Sequence, residues 1–156
     1  MDAKYAELIA GFSLFQGFTA QGAGRIIDRG EVKSYASGDI PFREGEAPEF
    51  VLLVLQGTME VFVERHGDAL VLTEVGPGAI LGELAVLCGI QRSASVRARA
   101  AVVALQWTAV AFRNMLLRYP LLSERVFRES LRTLVEKEQA LIESLAPARK
   151  NPQPVD

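Results

Sequence analysis

Tyr5, Leu8, Ile9 and Phe12 recur at i, i+3, i+4, i+7, the spacing of one helix face. Residues 3–11 are therefore predicted to form a short amphipathic helix, broken by "SLFQGF". Thr19 is placed to cap a second short helix running to about Asp28. Gly22 and Gly24 weaken that helix, each by roughly 1 kcal/mol relative to alanine. From Glu31 to Trp107 the pattern changes to short β-rich runs separated by glycine turns. "EVKSYA" precedes "SGD", and "FVLLVLQ" precedes Gly57. "TMEVFVER" and "ALVLTEV" flank "HGD", which reads as a hairpin. "SASVRARA" alternates, with Ala94, Val96, Ala98 and Ala100 on one face and Ser93, Ser95, Arg97 and Arg99 on the other. "VVALQW" follows as a further strand.

The helical period returns at Thr108. "TAVAFRNMLLRY" is one helix, ended by Pro120, and "LLSERVFRESLRTLVEKEQALIESLA" a longer second one. Phe127, Leu131, Leu134, Leu141 and Leu145 are expected to form the apolar stripe of that last helix. The fold class that results is α+β: an antiparallel, jelly-roll-like β-roll flanked by short N-terminal helices and two C-terminal helices. Residues 1–146 are expected to form a single domain, and the Pro-rich polar residues 147–156 a disordered tail.

Composition narrows the chemistry. The 156 residues are 49% hydrophobic and 23% charged, an ordinary globular balance with room for one core. The net charge of −2 gives no basic footprint for nucleic acid. The N-terminus has no signal-peptide pattern, and no stretch approaches the roughly 20 apolar residues of a membrane helix. With Cys88 as the one cysteine, no internal disulfide can form, and a cytoplasmic location is expected. His66, the one histidine, sits in the predicted hairpin turn. Metal sites built from several His or Cys ligands, and Ser-His-Asp hydrolysis, are thereby disfavoured.

One stretch carries candidate chemistry: "GELAVLCGIQRSASV", residues 82–96. It places helix formers, "GELAVL", in a region of strands. Free N–H groups at the start of that turn favour an anion, and Gly82 lets a ligand approach the backbone. Arg92, nine positions after Glu83, can grip the same anion through a bidentate pair. Ser93 and Ala94 are small and offer further N–H groups. Glu83 suits hydroxyls, which it accepts from. The pattern asks for a phosphate beside a free sugar hydroxyl. Standing alone, a Glu-Arg pair is more often a surface salt bridge.

"LGELAVLCGIQRSASV" resembles the phosphate-binding cassette of the cyclic nucleotide-binding domain family. The family pattern runs Phe-Gly-Glu-aliphatic-Ala, a short variable stretch, then Arg-small-Ala-small-Val. Leu81 replaces the usual Phe, a conservative change. The resemblance covers about residues 9–140, including "SGD", "REGE" and "LQGTMEV". It implies that Glu83 holds the ribose 2′-hydroxyl and Arg92 the cyclic phosphate. Backbone at Gly82, Leu84 and Ala85 would contact ribose or phosphate, with Ser93 and Ala94 completing the phosphate site. Val61 and Leu72 would line the base pocket, and Arg132, Thr133 and Leu134 on the last helix would contact the base. Thr in place of Ser93 goes with cGMP in this family and Ala with cAMP, while Ser occurs in cAMP binders. The expected ligand is cAMP, alternatively cGMP, with no separate cofactor.

These residues account for binding, not for bond breaking. With the Pro-rich polar residues 147–156 after the last helix, no helix-turn-helix is expected. The expectation is a stand-alone, non-enzymatic sensor whose final helices fold over the nucleotide and signal to an effector protein or through a homodimer. The alternative is an interaction domain that keeps the fold and binds no nucleotide. A phosphodiesterase is the weakest reading, because hydrolysis needs metal ligands or an activated nucleophile.

Overall fold

The computed structural model describes residues 3–145. Helix α1 (Ala3–Ala10), a 3₁₀ turn (Ser13–Phe15) and α2 (Ala20–Ile27) precede the roll. The Thr19 side chain accepts a hydrogen bond from Gly22 N at 3.0 Å, which caps α2. Strands β1 (Glu31–Tyr35), β2 (Phe50–Gln56), β3 (Met59–Arg65), β4 (Asp68–Val75) and β5 (Ile80–Leu81) follow. Helix α3 (Glu83–Cys88) interrupts them before β6 (Ser95–Ala98) and β7 (Val102–Thr108). Helices α4 (Ala109–Arg118) and α5 (Pro120–Leu145) complete the order. The architecture is α+β. The segment expected to be a tail, 147–156, lies outside the described residues.

Two antiparallel sheets form the roll, ordered β1-β7-β2-β5 and β4-β3-β6. Strand β2 is apolar almost throughout because both of its faces are covered. Val51, Leu53 and Leu55 join a core shared with the helices, whereas Leu52 and Val54 point between the sheets. Strand β7 divides likewise: Leu105 and Trp107 face the helices, Val102 and Ala104 the interior of the roll. The Trp107 indole N–H donates to the Ile26 carbonyl at 3.1 Å, joining α2 to the sheet. The β3–β4 hairpin turns at His66 and Gly67, both at positive φ. A register shift at Val61/Phe62 leaves Leu72 as the extra residue on β4, and Leu72 is buried in the interior cluster.

Three sequence expectations change. Ala100 is exposed, because β6 ends at Ala98. Ser95 and Arg97 do not lie on a solvated face. The Ser95 hydroxyl is buried and accepts from Glu44 N at 2.8 Å. Arg97 is half-buried, donates to Glu60 Oε2 at 2.7 and 3.1 Å, and lies over the Phe62 ring. The largest change is in α5. Its packed face runs through Leu122, Val126 and Ser130, while Phe127, Leu131, Leu134 and Leu145 of the expected stripe are exposed. Leu141 alone of that stripe packs against the roll.

Candidate functional site

The chain leaves β5 at Leu81, turns at Gly82 with φ of 80°, and starts α3 at Glu83. A side chain at Gly82 would be strained at that φ and would run into the Arg92 guanidinium, so the turn needs glycine. Gly89, at φ of 66°, caps the other end of α3. The segment then returns past Arg92 into β6. Arg92 is tied there by its backbone: its N–H donates to the Glu46 carbonyl at 2.9 Å, and its carbonyl accepts from Gly45 N at 2.8 Å.

Glu83 and Arg92 are 4% and 3% exposed, so the pair is not a surface salt bridge. Nor are they ion-paired with each other among the described residues. The Arg92 guanidinium donates to the Gly82 carbonyl at 2.8 Å and to the Phe50 carbonyl at 2.6 Å. Its carbon lies 4.0 Å from the Phe42 ring centre and 5.0 Å from that of Phe50. Its Nε is buried without a hydrogen-bond partner. Burial lowers the Arg92 pKa, an effect opposed by Glu46, Glu83 and Glu49. Burial likewise raises that of Glu83, opposed by a backbone hydrogen bond, the Lys137 charge, the Ser130 hydroxyl and Arg92.

A cavity of about 30 Å³ lies between them, lined by Val61, Gly82, Glu83, Leu84, Ala85, Arg92, Ser93 and Ala94. Eight of the twelve sequence-selected residues therefore meet at one cavity. Leu72 sits behind it, in the interior cluster with Val61. Arg132, Thr133 and Leu134 are not brought to it. Arg132 pairs with Glu129 at 3.3 Å, the Thr133 hydroxyl donates to the Glu129 carbonyl at 2.9 Å, and Leu134 is exposed. The α5 residue that lines the cavity is Lys137, with Ser130 buried beside Glu83. Residues that sequence reasoning passed over are thus Lys137, Ser130, Leu141 and Phe42. The first three share one helix face, but Lys137 and Ser130 are polar, so an apolar stripe does not mark them. No spacing rule signals that Phe42 covers a guanidinium.

The arrangement presents an acceptor and a cation, both held from water, at the edge of an apolar β-roll. Such an arrangement is chemically suited to a small polar anion with hydroxyl groups. Among the described residues, no group of three His, Cys, Asp or Glu is placed to hold a metal. No helix among them is long and apolar enough to cross a membrane.

The fold and the cassette together define a β-roll domain carrying a Gly-Glu…Arg cassette. The chain belongs to the cyclic nucleotide-binding domain family, whose model matches residues 32–119. It is 28% identical over 127 residues to a cAMP-dependent protein kinase regulatory subunit of Blastocladiella emersonii, covering 81% of this chain and 30% of that one. It is 37% identical over 82 residues to an ABC transporter ATP-binding protein of Mycobacterium tuberculosis, covering 51% of this chain and 24% of the relative. The chain thus spans a third or less of these relatives. Among solved structures, the catabolite activator protein of Thermus thermophilus has a TM-score of 0.72 at 24% identity, covering 84% of this chain and 62% of that one. The regulatory subunit of a cAMP-independent protein kinase A from Trypanosoma brucei has a TM-score of 0.75 at 22% identity, covering 88% and 50%. These structural likenesses establish the fold.

Proposed function

We propose that this chain is a cyclic nucleotide sensor module. Glu83 accepts the ribose 2′-hydroxyl, and Arg92 pairs with the cyclic phosphate. Gly82, Leu84, Ala85, Ser93 and Ala94 supply backbone and small side chains around them, and Val61 and Leu72 form the apolar wall for the base. The observation that carries this reading is the pair of nearly buried charges lining one cavity, with no ion pair between them and with Arg92 Nε unpartnered. Holding such charges out of water costs several kcal/mol, which a ligand bearing a phosphate and a hydroxyl offsets. The ligand is cAMP, with cGMP the alternative.

Binding rearranges α5 and so passes the signal on. Leu131, Val135, Ile142 and Leu145 are exposed on its outer face. They fall on the 3–4 spacing of a two-helix seam, interrupted by Glu138. That spacing supports a homodimer, or an effector helix, as the receiver of the signal. The module works in the cytoplasm and carries no enzymatic activity of its own.

One observation favours the second reading, an interaction domain without a nucleotide. Two donors of Arg92 are already taken by the Gly82 and Phe50 carbonyls, and the cavity is small. Relatives in this fold also differ in ligand: a Trypanosoma cruzi regulatory subunit is described as bound to guanosine, and the Trypanosoma brucei kinase as cAMP-independent. Backbone NMR titration separates the two readings. Saturable shifts at residues 82–94 with cAMP or cGMP support the sensor; none with either leaves the interaction domain.

A further inference from the structure

Helix α5 lies across the cavity with Ser130, Lys137 and Leu141 on one face, at i, i+7 and i+11. Leu122 and Val126, one to two turns earlier, anchor the same helix in the core. Ser130 is 3% exposed and meets the Glu83 carboxylate. Lys137 lines the cavity beside Glu83 and Arg92. Leu141, with Ala140, packs on the interior cluster that holds Val61 and Leu72. The space left is about 30 Å³, on the scale of one water. A pocket for a ligand with a base, a sugar and a phosphate needs on the order of 300 Å³.

Each α5 group therefore meets a part of the site suited to a part of the ligand. A hydroxyl faces the carboxylate, as a sugar hydroxyl would. An isobutyl group covers the apolar wall, as a base would. An ammonium occupies the polar ground between them. The Arg92 guanidinium, meanwhile, donates to two carbonyls and stacks on Phe42, with its Nε unpartnered. The closed arrangement leaves few polar groups unmet, so it is a stable alternative to the bound one.

We propose that α5 is a built-in competitor for the nucleotide cavity, in which Ser130, Lys137 and Leu141 fill the space the ligand takes and set its apparent affinity. The proposal rests on the nucleotide-binding reading and gives it a sign. A helix that merely capped the bound ligand would add to affinity. A helix that must leave subtracts from it, because the apparent dissociation constant is the intrinsic one divided by the open fraction.

The test is calorimetric titration of cAMP, and separately cGMP, into the full chain as wild type, Lys137→Gln and Lys137→Gln/Leu141→Asp. Lys137 and Leu141 lie away from the Leu122 and Val126 anchor, and the single Lys137→Gln change leaves every apolar contact in place. Leu121→Asp, at an exposed position of the same helix outside the two-helix seam, serves as a control. The expected result is tighter binding by about tenfold or more in the double variant, a smaller gain in Lys137→Gln, and none in the control. Equal or weaker binding in both α5 variants overturns the competitor while leaving the sensor standing. No binding to wild type or any variant removes the nucleotide reading, and the competitor with it.

Discussion

Replacing Arg92 by alanine tests whether the guanidinium is part of the folded structure as well as of the site. The sequence reading makes Arg92 a ligand group. The structure gives it two further duties. It donates to the Gly82 and Phe50 carbonyls at 2.8 and 2.6 Å, and it fills the slot between the Phe42 and Phe50 rings. A hydrogen bond to a charged donor contributes about 1.5–3 kcal/mol, and a desolvated cation–π contact about 2. Against these stands the cost of burying the charge, which the lowered pKa of Arg92 reflects. Truncation also leaves two carbonyls without donors and a cavity beside Phe42. The net expectation is a loss of about 3–5 kcal/mol, within the range for breaking a buried charged network. At about 2–4 °C per kcal/mol for a domain of this size, the melting temperature falls by roughly 6–20 °C. Thermal melts followed by circular dichroism read it directly. A melt within about 2 °C of wild type would refute the reasoning, since Arg92 would then not be holding those carbonyls.

Other perturbations follow from the same geometry. Gly82→Ala forces a side chain into positive φ and against Arg92, so it should lower stability by about 1–3 kcal/mol in denaturant titrations. Glu83 has its pKa raised from 4.5 by burial, so its contribution to stability is fullest below about pH 4.5 and is lost as pH rises through the folded value. Glu83→Gln should therefore raise the melting temperature at pH 7, with an advantage that shrinks toward pH 4; an equal advantage at both would count against a buried carboxylate. Trp107→Phe removes the indole donor to the Ile26 carbonyl and should cost about 1–3 kcal/mol, read as a lower urea midpoint.

The order of elements and the cassette were legible because both rest on local rules. Thr19 as a cap, the His66-Gly67 turn and the run from Gly82 to Ala94 depend on neighbours within a few residues. Strand β2 was legible as a strand, but not that its two faces serve separate cores, since that depends on partners far along the chain. The bulge at Leu72 leaves no mark on the sequence of β4 alone. Helix α5 misled for a physical reason. Of its expected apolar stripe, Phe127, Leu131, Leu134 and Leu145 are exposed and Leu141 alone packs inward, while the inward face also uses Ser130 and Lys137 beside Glu83. An apolar moment points toward burial, and here a charged site is what that face covers. The family matched over residues 32–119 stops before α5, so the helix must be read from its own contacts.

The central claim is that Glu83 and Arg92 receive a cyclic nucleotide. The most direct measurement is calorimetric titration of cAMP, with cGMP in parallel, into wild type and Arg92→Lys, each unfolded and refolded to strip bound nucleotide. Lysine keeps the charge but loses the planar fork that matches a phosphate. The account predicts saturable one-to-one binding to wild type and binding at least about tenfold weaker to Arg92→Lys. Heat from neither nucleotide, or equal affinity in the two proteins, would contradict it.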